Sequence, residues 1–258
     1  MSLAKPDTIS VITVCYNGAS YLETSLRSVL SQEYPALDHV VVDGGSTDGS
    51  LEIIKRYAAL DARLRWISEP DRGISDAMNK GLSLATGEVA AFLHADDFYP
   101  DSGVLSLVAA QFAAQPELEW LTGGISYVDP AGAIVKSYSP RRWSYRRLLR
   151  GNIIFHPATF VRRRVLEEVG GFDTSLRYTM DYDLWLRLGR RSAPVLLDHP
   201  LACFRLHPGS TSVQQVDAAF REELQVRYRQ LQGKPLQKAL HGLYYWLKLV
   251  PNRMTVKG

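Results

Sequence analysis

Runs of consecutive apolar residues alternate with amphipathic stretches over the first hundred positions. Ile9-Ser10-Val11-Ile12-Thr13-Val14-Cys15 is β-branched and nearly continuous, the pattern of a strand buried on both faces. Tyr16-Asn17-Gly18 ends it, Ser20-Tyr21-Leu22-Glu23 has capping-box spacing, and Leu22, Leu26, Val29 and Leu30 predict a helix to about Gln32. His39 to Asp43 reads as a second buried strand. Gly44-Gly45-Ser46-Thr47-Asp48-Gly49 then turns into a helix carrying Ile53, Ile54 and Tyr57, and Leu64 to Ser68 forms a third strand. After the turn Pro70-Asp71-Arg72-Gly73, a helix through Ile74, Ala77, Met78, Leu82 and Ala85 stops at Gly87. A fourth apolar run, from Val89 to Leu93, ends abruptly in His94-Ala95-Asp96-Asp97. This β-α-β-α-β-α-β order calls for an α/β fold with a Rossmann-like, mostly parallel sheet flanked by helices.

The second half changes character. Strands are expected from Glu119 to Lys136 around the turn Asp129-Pro130-Ala131-Gly132, and a strand or irregular segment from Ile153 to Val161. A helix is expected near Ser102 to Gln115. Another opens at Asp181-Tyr182-Asp183, with Leu184, Trp185 and Leu188 toward the core, and C-terminal helices follow over Gln214 to Gln232 and Leu236 to Leu249. With no repeat and no low-complexity linker, the expected division is a catalytic domain over 1–213 and a helical extension over 214–258. Residues 1–100 would form its nucleotide-binding half and 101–213 its acceptor half.

Composition adds little: 46% hydrophobic and 22% charged residues describe an ordinary globular chain. No run of 18 apolar residues and no apolar leader occurs, so no membrane span and no export are expected. Only Cys15 and Cys203 are present, and a reducing cytoplasm fits better than a disulfide framework. Charge is more informative. From Arg205 onward there are nine Lys/Arg against three acids, and Arg141, Arg142, Arg146, Arg147 and Arg150 form a cluster without an acid. Such asymmetry points to an anionic partner, a membrane surface or a phosphorylated substrate, with no feature calling for nucleic acid.

Chemistry concentrates at the ends of the strands. Ligands in open α/β sheets collect outside the carboxyl edge, and the adjacent carboxylates Asp96 and Asp97 repel unless a cation joins them. Mn2+ or Mg2+ suits oxygen donors and bridges carboxylate to phosphate, although capping of the following helix is an equal reading for these two acids. Asp43 ends the second strand on the same edge. Its carboxylate can accept from the imide of a base while Tyr16 offers a flat stacking face; helix capping is the alternative. The glycine-rich run after Asp43 is not G-x-G-x-x-G, which disfavours a dinucleotide site.

Four ordered segments carry a resemblance: Val11-Ile12-Thr13-Val14-Cys15-Tyr16-Asn17, the stretch from Val41 to Gly49, the stretch from Gly73 to Gly81, and Phe92-Leu93-His94-Ala95-Asp96-Asp97. With His156-Pro157-Ala158-Thr159-Phe160-Val161-Arg162, Gly170-Gly171-Phe172-Asp173 and Asp181-Tyr182-Asp183-Leu184, they resemble the family 2 glycosyltransferases of the GT-A fold, in the bacterial surface-polysaccharide and lipid-linked glycan group. The resemblance implies an inverting hexosyl transfer from a nucleotide-diphosphate sugar to a saccharide or polyprenyl-diphosphate-linked acceptor. It gives Val14, Tyr16, Asp43 and Arg72 to the base and Asp96 to the ribose. Asp97 and His207 go to the metal, and Asp76, Asn79 and Lys80 to the donor phosphate or sugar. It also places a general base at Met180-Asp181, where relatives carry Glu-Asp, so Asp181 takes the role. Asp183 competes, with an i,i+4 ion pair to Arg187 as its alternative; His156 is assigned to the acceptor side. Family members often have an acid at the position of His94 and some an Arg at that of Met78, which leaves the donor sugar open.

The tail repeats Leu236, Leu240, Leu243, Tyr244, Leu247 and Val250 at helical spacing, with Lys234, Lys238 and Lys248 beside them. It reads as an interfacial helix at the inner face of the cytoplasmic membrane, as packing on the catalytic domain, or as a homodimer contact. The rival functions are a nucleotidyltransferase and a non-catalytic nucleotide-binding module.

Overall fold

Strands with no polar face need cover on both sides, and the computed structural model, which describes residues 8–209, 216–243 and 245, supplies it. β1 (Ile9–Cys15), β2 (Leu37–Asp43) and β4 (Val89–Phe92) are buried at every position, and β3 (Leu64–Ser68) closes the edge. They lie parallel in the order β3-β2-β1-β4. Connecting them are α1 (Ala19–Leu30), α2 (Ser50–Leu60) and α3 (Ile74–Leu84). The period of two along β1 splits the core: Ile12 and Val14 pack with Ala77, Met78 and Leu82 of α3. Val11 joins Val104, Leu105 and Val108 of α4 (Val104–Ala114) on the other face.

The sheet continues beyond β4 with reversed direction. β5 (Trp120–Val128) and β6 (Ile134–Tyr138) form the hairpin expected around Asp129 to Gly132, and β7 (Thr159–Arg162) runs antiparallel to both β4 and β5. The segment from Ile153 is only partly a strand: a 3-10 turn, His156–Ala158, precedes β7. β8 (Val195–Arg205), which the hydrophobic pattern does not announce, lies parallel along β5 and bridges back to Phe98 through Cys203. Short helices α5 (Tyr145–Leu148) and α6 (Arg163–Glu168) are also additions. The helix α7 (Met180–Arg191) buries Leu184, Trp185 and Leu188 as expected, and α8 (Val216–Gln230) follows.

Three local expectations change. Ser20 does not cap α1; Gly18 stands at the N-cap, and the first amides are satisfied from another loop, Ala19 N by Asp48 Oδ2 at 2.9 Å and Gly18 N by Ser50 Oγ at 3.0 Å. Asp96 and Asp97 cap nothing, since α4 begins beyond Gly103. The tail forms a helix over 235–243, while Tyr244, Trp246, Leu247, Lys248 and Val250 lie outside the described residues. Cys15 and Cys203 are both buried and free. Among the described residues no helix is long and apolar enough to cross a membrane.

Candidate active site

The carboxyl ends of β1, β2 and β3 make one wall. Tyr16 follows β1 with its ring 68% exposed, the freest large aromatic on this edge. Asn17, at φ 51°, ties two loops together: its amide donates to Ser46 Oγ at 2.8 Å, and its side-chain oxygen accepts from Thr47 N at 2.9 Å. Asp43 is wholly buried, and its Oδ2 accepts from Ser68 Oγ at 2.6 Å and Ser46 N at 3.1 Å. Its carboxylate therefore fixes the wall from behind. Gly44 lets Tyr16 and Asp71 close in, because a Cβ there would stand 2.4 Å from Asp71 Oδ2 and 3.4 Å from the Tyr16 ring. The side chain of Val14 belongs to the core, and its carbonyl accepts from Ala95 N at 3.3 Å. Asp71, which the sequence reading passes over as a turn residue, is the addition here. Gly44→Ala is expected to push Asp71 outward and weaken nucleotide binding several-fold with little change in melting temperature, measured by calorimetry and thermal unfolding.

The loop from β3 to α3 is charged and exposed. Arg72, 81% exposed along its side chain, pairs with Asp76 at 2.9 Å, and Lys80 pairs with Glu69 at 2.7 Å. Asn79 turns elsewhere. Its side chain donates to Phe172 O at 2.8 Å and accepts from Phe172 N at 2.9 Å, so both ends of the amide hold the Gly171-Phe172 segment.

The carboxylate pair is organised by the end of β8. Asp97 is buried, and its Oδ1 accepts from the amide of Arg205 at 3.1 Å; burial, then the charge of Asp96, push its pKa well above the usual carboxylate range. Arg205, itself buried, donates to Asp96 O at 3.1 Å and Pro130 O at 2.7 Å and lies 4.7 Å over the Tyr21 ring. Asp96 remains part-exposed, with Oδ2 3.0 Å from His207 Nε2. His94, Asp96 and Asp97 each bring a ligand atom within 4.8 Å of the others. Divalent-ion chemistry fits, because the carboxylates of Asp96 and Asp97 and the imidazole of His94 converge. The structure thus sets His207 against Asp96 rather than against Asp97.

A row of rings runs from this turn to α7. His94 and His156 lie 5.0 Å apart, and His156 lies 5.9 Å from Trp185. Burial lowers the pKa of both imidazoles and holds them neutral. Neither nitrogen of His156, nor His94 Nε2, nor Trp185 Nε1 has a hydrogen-bond partner among the described residues. One helical turn before Trp185 stands Asp181. Its Oδ2 accepts from Asn152 Nδ2 at 2.9 Å and its Oδ1 from Tyr182 N at 2.7 Å, while burial raises its pKa to about 6. Asp183 faces away: it is buried against Arg187 at 2.8 Å, and Arg187 also donates to Val169 O and Gly171 O. Glu222, from α8, accepts from the amides of Arg177, Tyr178 and Thr179 at 2.7 to 2.8 Å and so fixes the entry to α7.

Comparison with known proteins places these features. The model of glycosyl transferase family 2 matches residues 10–170. A PGL/p-HBAD biosynthesis glycosyltransferase of Mycobacterium bovis is 34% identical over 183 residues, covering 69% of this chain and 68% of that protein. The chondroitin synthase of Pasteurella multocida is 27% identical over 212 residues, 81% of this chain but 22% of the synthase. Among solved structures, the mannosyltransferase PcManGT of Pyrobaculum calidifontis, in complex with GDP-Man and Mn2+, superposes with a TM-score of 0.67 at 23% identity, covering 95% of this chain and 70% of that one. TarS of S. aureus in complex with UDP-GlcNAc gives 0.67 at 18% identity, over 92% of this chain and 70% of that one.

Proposed function

The chain belongs to glycosyl transferase family 2 and has the GT-A fold, and from that premise we propose an inverting, metal-assisted hexosyl transfer to a saccharide or polyprenyl-diphosphate-linked hydroxyl, with Asp181 as general base. A glycosyltransferase is thereby stated, and the nucleotidyltransferase and non-catalytic readings fall away. The observation that carries the finer reading is Asp181: a half-buried carboxylate with a pKa of about 6, one helical turn from Trp185 at the end of the ring row that runs through His156 to His94. The proposed division is a nucleotide-binding half over 1–100, an acceptor half over 101–213 and a helical extension over 214–258.

In this reading the Tyr16 ring stacks on the base, with Asp43 and Gly44 shaping the wall, and Arg72 and Lys80 face the diphosphate. Asp96 and His207 would hold Mn2+ or Mg2+, with Asp97, bonded to Arg205, supporting them from beneath, and the ion would supply Lewis-acid stabilisation of the negative charge on the leaving nucleoside diphosphate. Asp181 takes the acceptor hydroxyl proton as the new oxygen–carbon bond forms at the anomeric carbon and the bond to the diphosphate oxygen breaks on the opposite side. Asn152 holds the carboxylate in place. Asn79 and Asp183 have no part in this scheme, because Phe172 and Arg187 occupy them. Calorimetry with UDP, GDP, dTDP and CMP, each with Mn2+ and with EDTA, tests the donor side. Metal-dependent binding of one nucleoside diphosphate is the expected result, and no binding by any of the four would overturn the donor assignment.

A further inference from the structure

The helix over 235–243 turns Leu236, Leu240 and Leu243 outward, at 81%, 65% and 56% exposure. Their spacing of four and three residues puts them on one face. The opposite side is seated: a Cβ on Gly242 would lie 2.6 Å from Tyr228 Oη of α8, and the Lys238 ammonium stands 6.0 Å over the Tyr228 ring. The leucine face is therefore held in place and, among the described residues, left uncovered.

A second feature is equally unexplained. Arg141, Arg142, Arg146, Arg147 and Arg150 are all exposed, and among the described residues none forms an ion pair with a carboxylate. Arg190 ties this cluster to the C-terminal helices, donating from Nε to Tyr145 Oη of α5 at 3.0 Å and from Nη2 to Gln230 O, the end of α8, at 2.6 Å. Burial lowers the pKa of His241, and the charges of Arg227 and then of Arg150 act in the same direction. Two residues beyond Arg150, Asn152 holds Asp181.

We propose that the leucine face of the helix over 235–243 and the arginine cluster over 141–150 form one docking surface for an anionic lipid bilayer. Exposed leucines lose apolar hydration on entering the acyl boundary, while arginines and lysines meet anionic headgroups. A second copy is a poor occupant, since it would bring the same unpaired positive charges against these. Docking in this way sets Asn152 and Asp181 next to the headgroup layer, where a lipid-linked diphosphate acceptor would present its sugar. That consequence rests on the transferase reading; the docking does not.

Co-sedimentation of the full chain with phosphatidylcholine vesicles, and with vesicles containing phosphatidylglycerol, tests it. Binding to the anionic vesicles alone, weakened by salt, is expected. A Leu236→Ser/Leu240→Ser/Leu243→Ser variant and an Arg141→Gln/Arg142→Gln/Arg146→Gln/Arg147→Gln variant should each bind at least tenfold more weakly, with unchanged nucleoside-diphosphate binding. Equal vesicle binding by wild type and both variants, or binding of RNA but not of vesicles, overturns the proposal. Loss of nucleotide binding in every form with vesicle binding intact would instead strike the transferase reading and leave the docking surface standing.

Discussion

Asp181→Asn is expected to lower turnover by about 10²- to 10⁴-fold while nucleoside-diphosphate binding stays at the wild-type level. The replacement keeps the shape of the side chain and one of its two acceptor contacts, with Asn152 Nδ2 or with Tyr182 N, but removes the proton acceptor. The base works only when ionised, so kcat/KM should rise with pH through about 6 and level off above it. Stability should move the other way. A carboxyl whose pKa is raised on folding stabilises the native state while protonated, and that contribution is lost as pH rises through about 6. The Asn variant cannot ionise, so it should melt at least as high as the wild type at pH 7.5, with the two drawing together near pH 4. This pairing of higher stability with lost transfer separates a strained functional group from a structural one. An unchanged turnover number in Asp181→Asn would remove this residue from the chemistry.

The first hundred residues were legible because β1, β2 and β4 are buried on both faces and leave uninterrupted apolar runs: β1 and β3 stand where the pattern put them, and β2 begins two residues earlier. The parts that escaped depend on partners distant in the chain. β8 contains Asp198, His199 and Pro200, and its register shifts beside Gly123 and Gly124, so neither an alternating nor a continuous apolar pattern marks it. Without β8 there was no means of seeing that Arg205 would lie beneath Asp96 and Asp97. The capping of α1 by Asp48 and the anchoring of α7 by Glu222 are likewise long-range: local spacing pointed to Ser20 for the first and to nothing for the second. Asp183 shows the opposite case. The i,i+4 spacing to Arg187 is a local signal, and the ion pair it suggests is present.

Within the acidic turn, neighbouring carboxylates should give unlike results. Asp96→Ala and His207→Ala each remove one member of the half-buried pair that lies 3.0 Å apart, and each is expected to weaken Mn2+-dependent nucleoside-diphosphate binding by at least tenfold with a near-normal melting temperature. Binding in EDTA should hardly change. Asp97 is sealed beneath them, and its bond is to the Arg205 amide. Asp97→Asn preserves an acceptor for that amide and should leave most of the Mn2+ dependence. Asp97→Ala orphans the amide and opens a void, so it should cost about 1–3 kcal/mol of stability and loosen His207 as a secondary effect. Calorimetric titration of Mn2+ with a saturating nucleoside diphosphate, run beside thermal unfolding for all four variants, distinguishes the roles. If Asp97→Asn loses the metal dependence at an unchanged melting temperature, the ion belongs to Asp97. If it is retained there and lost in Asp96→Ala and His207→Ala, the Asp96–His207 pair carries the ion and the buried acid positions it.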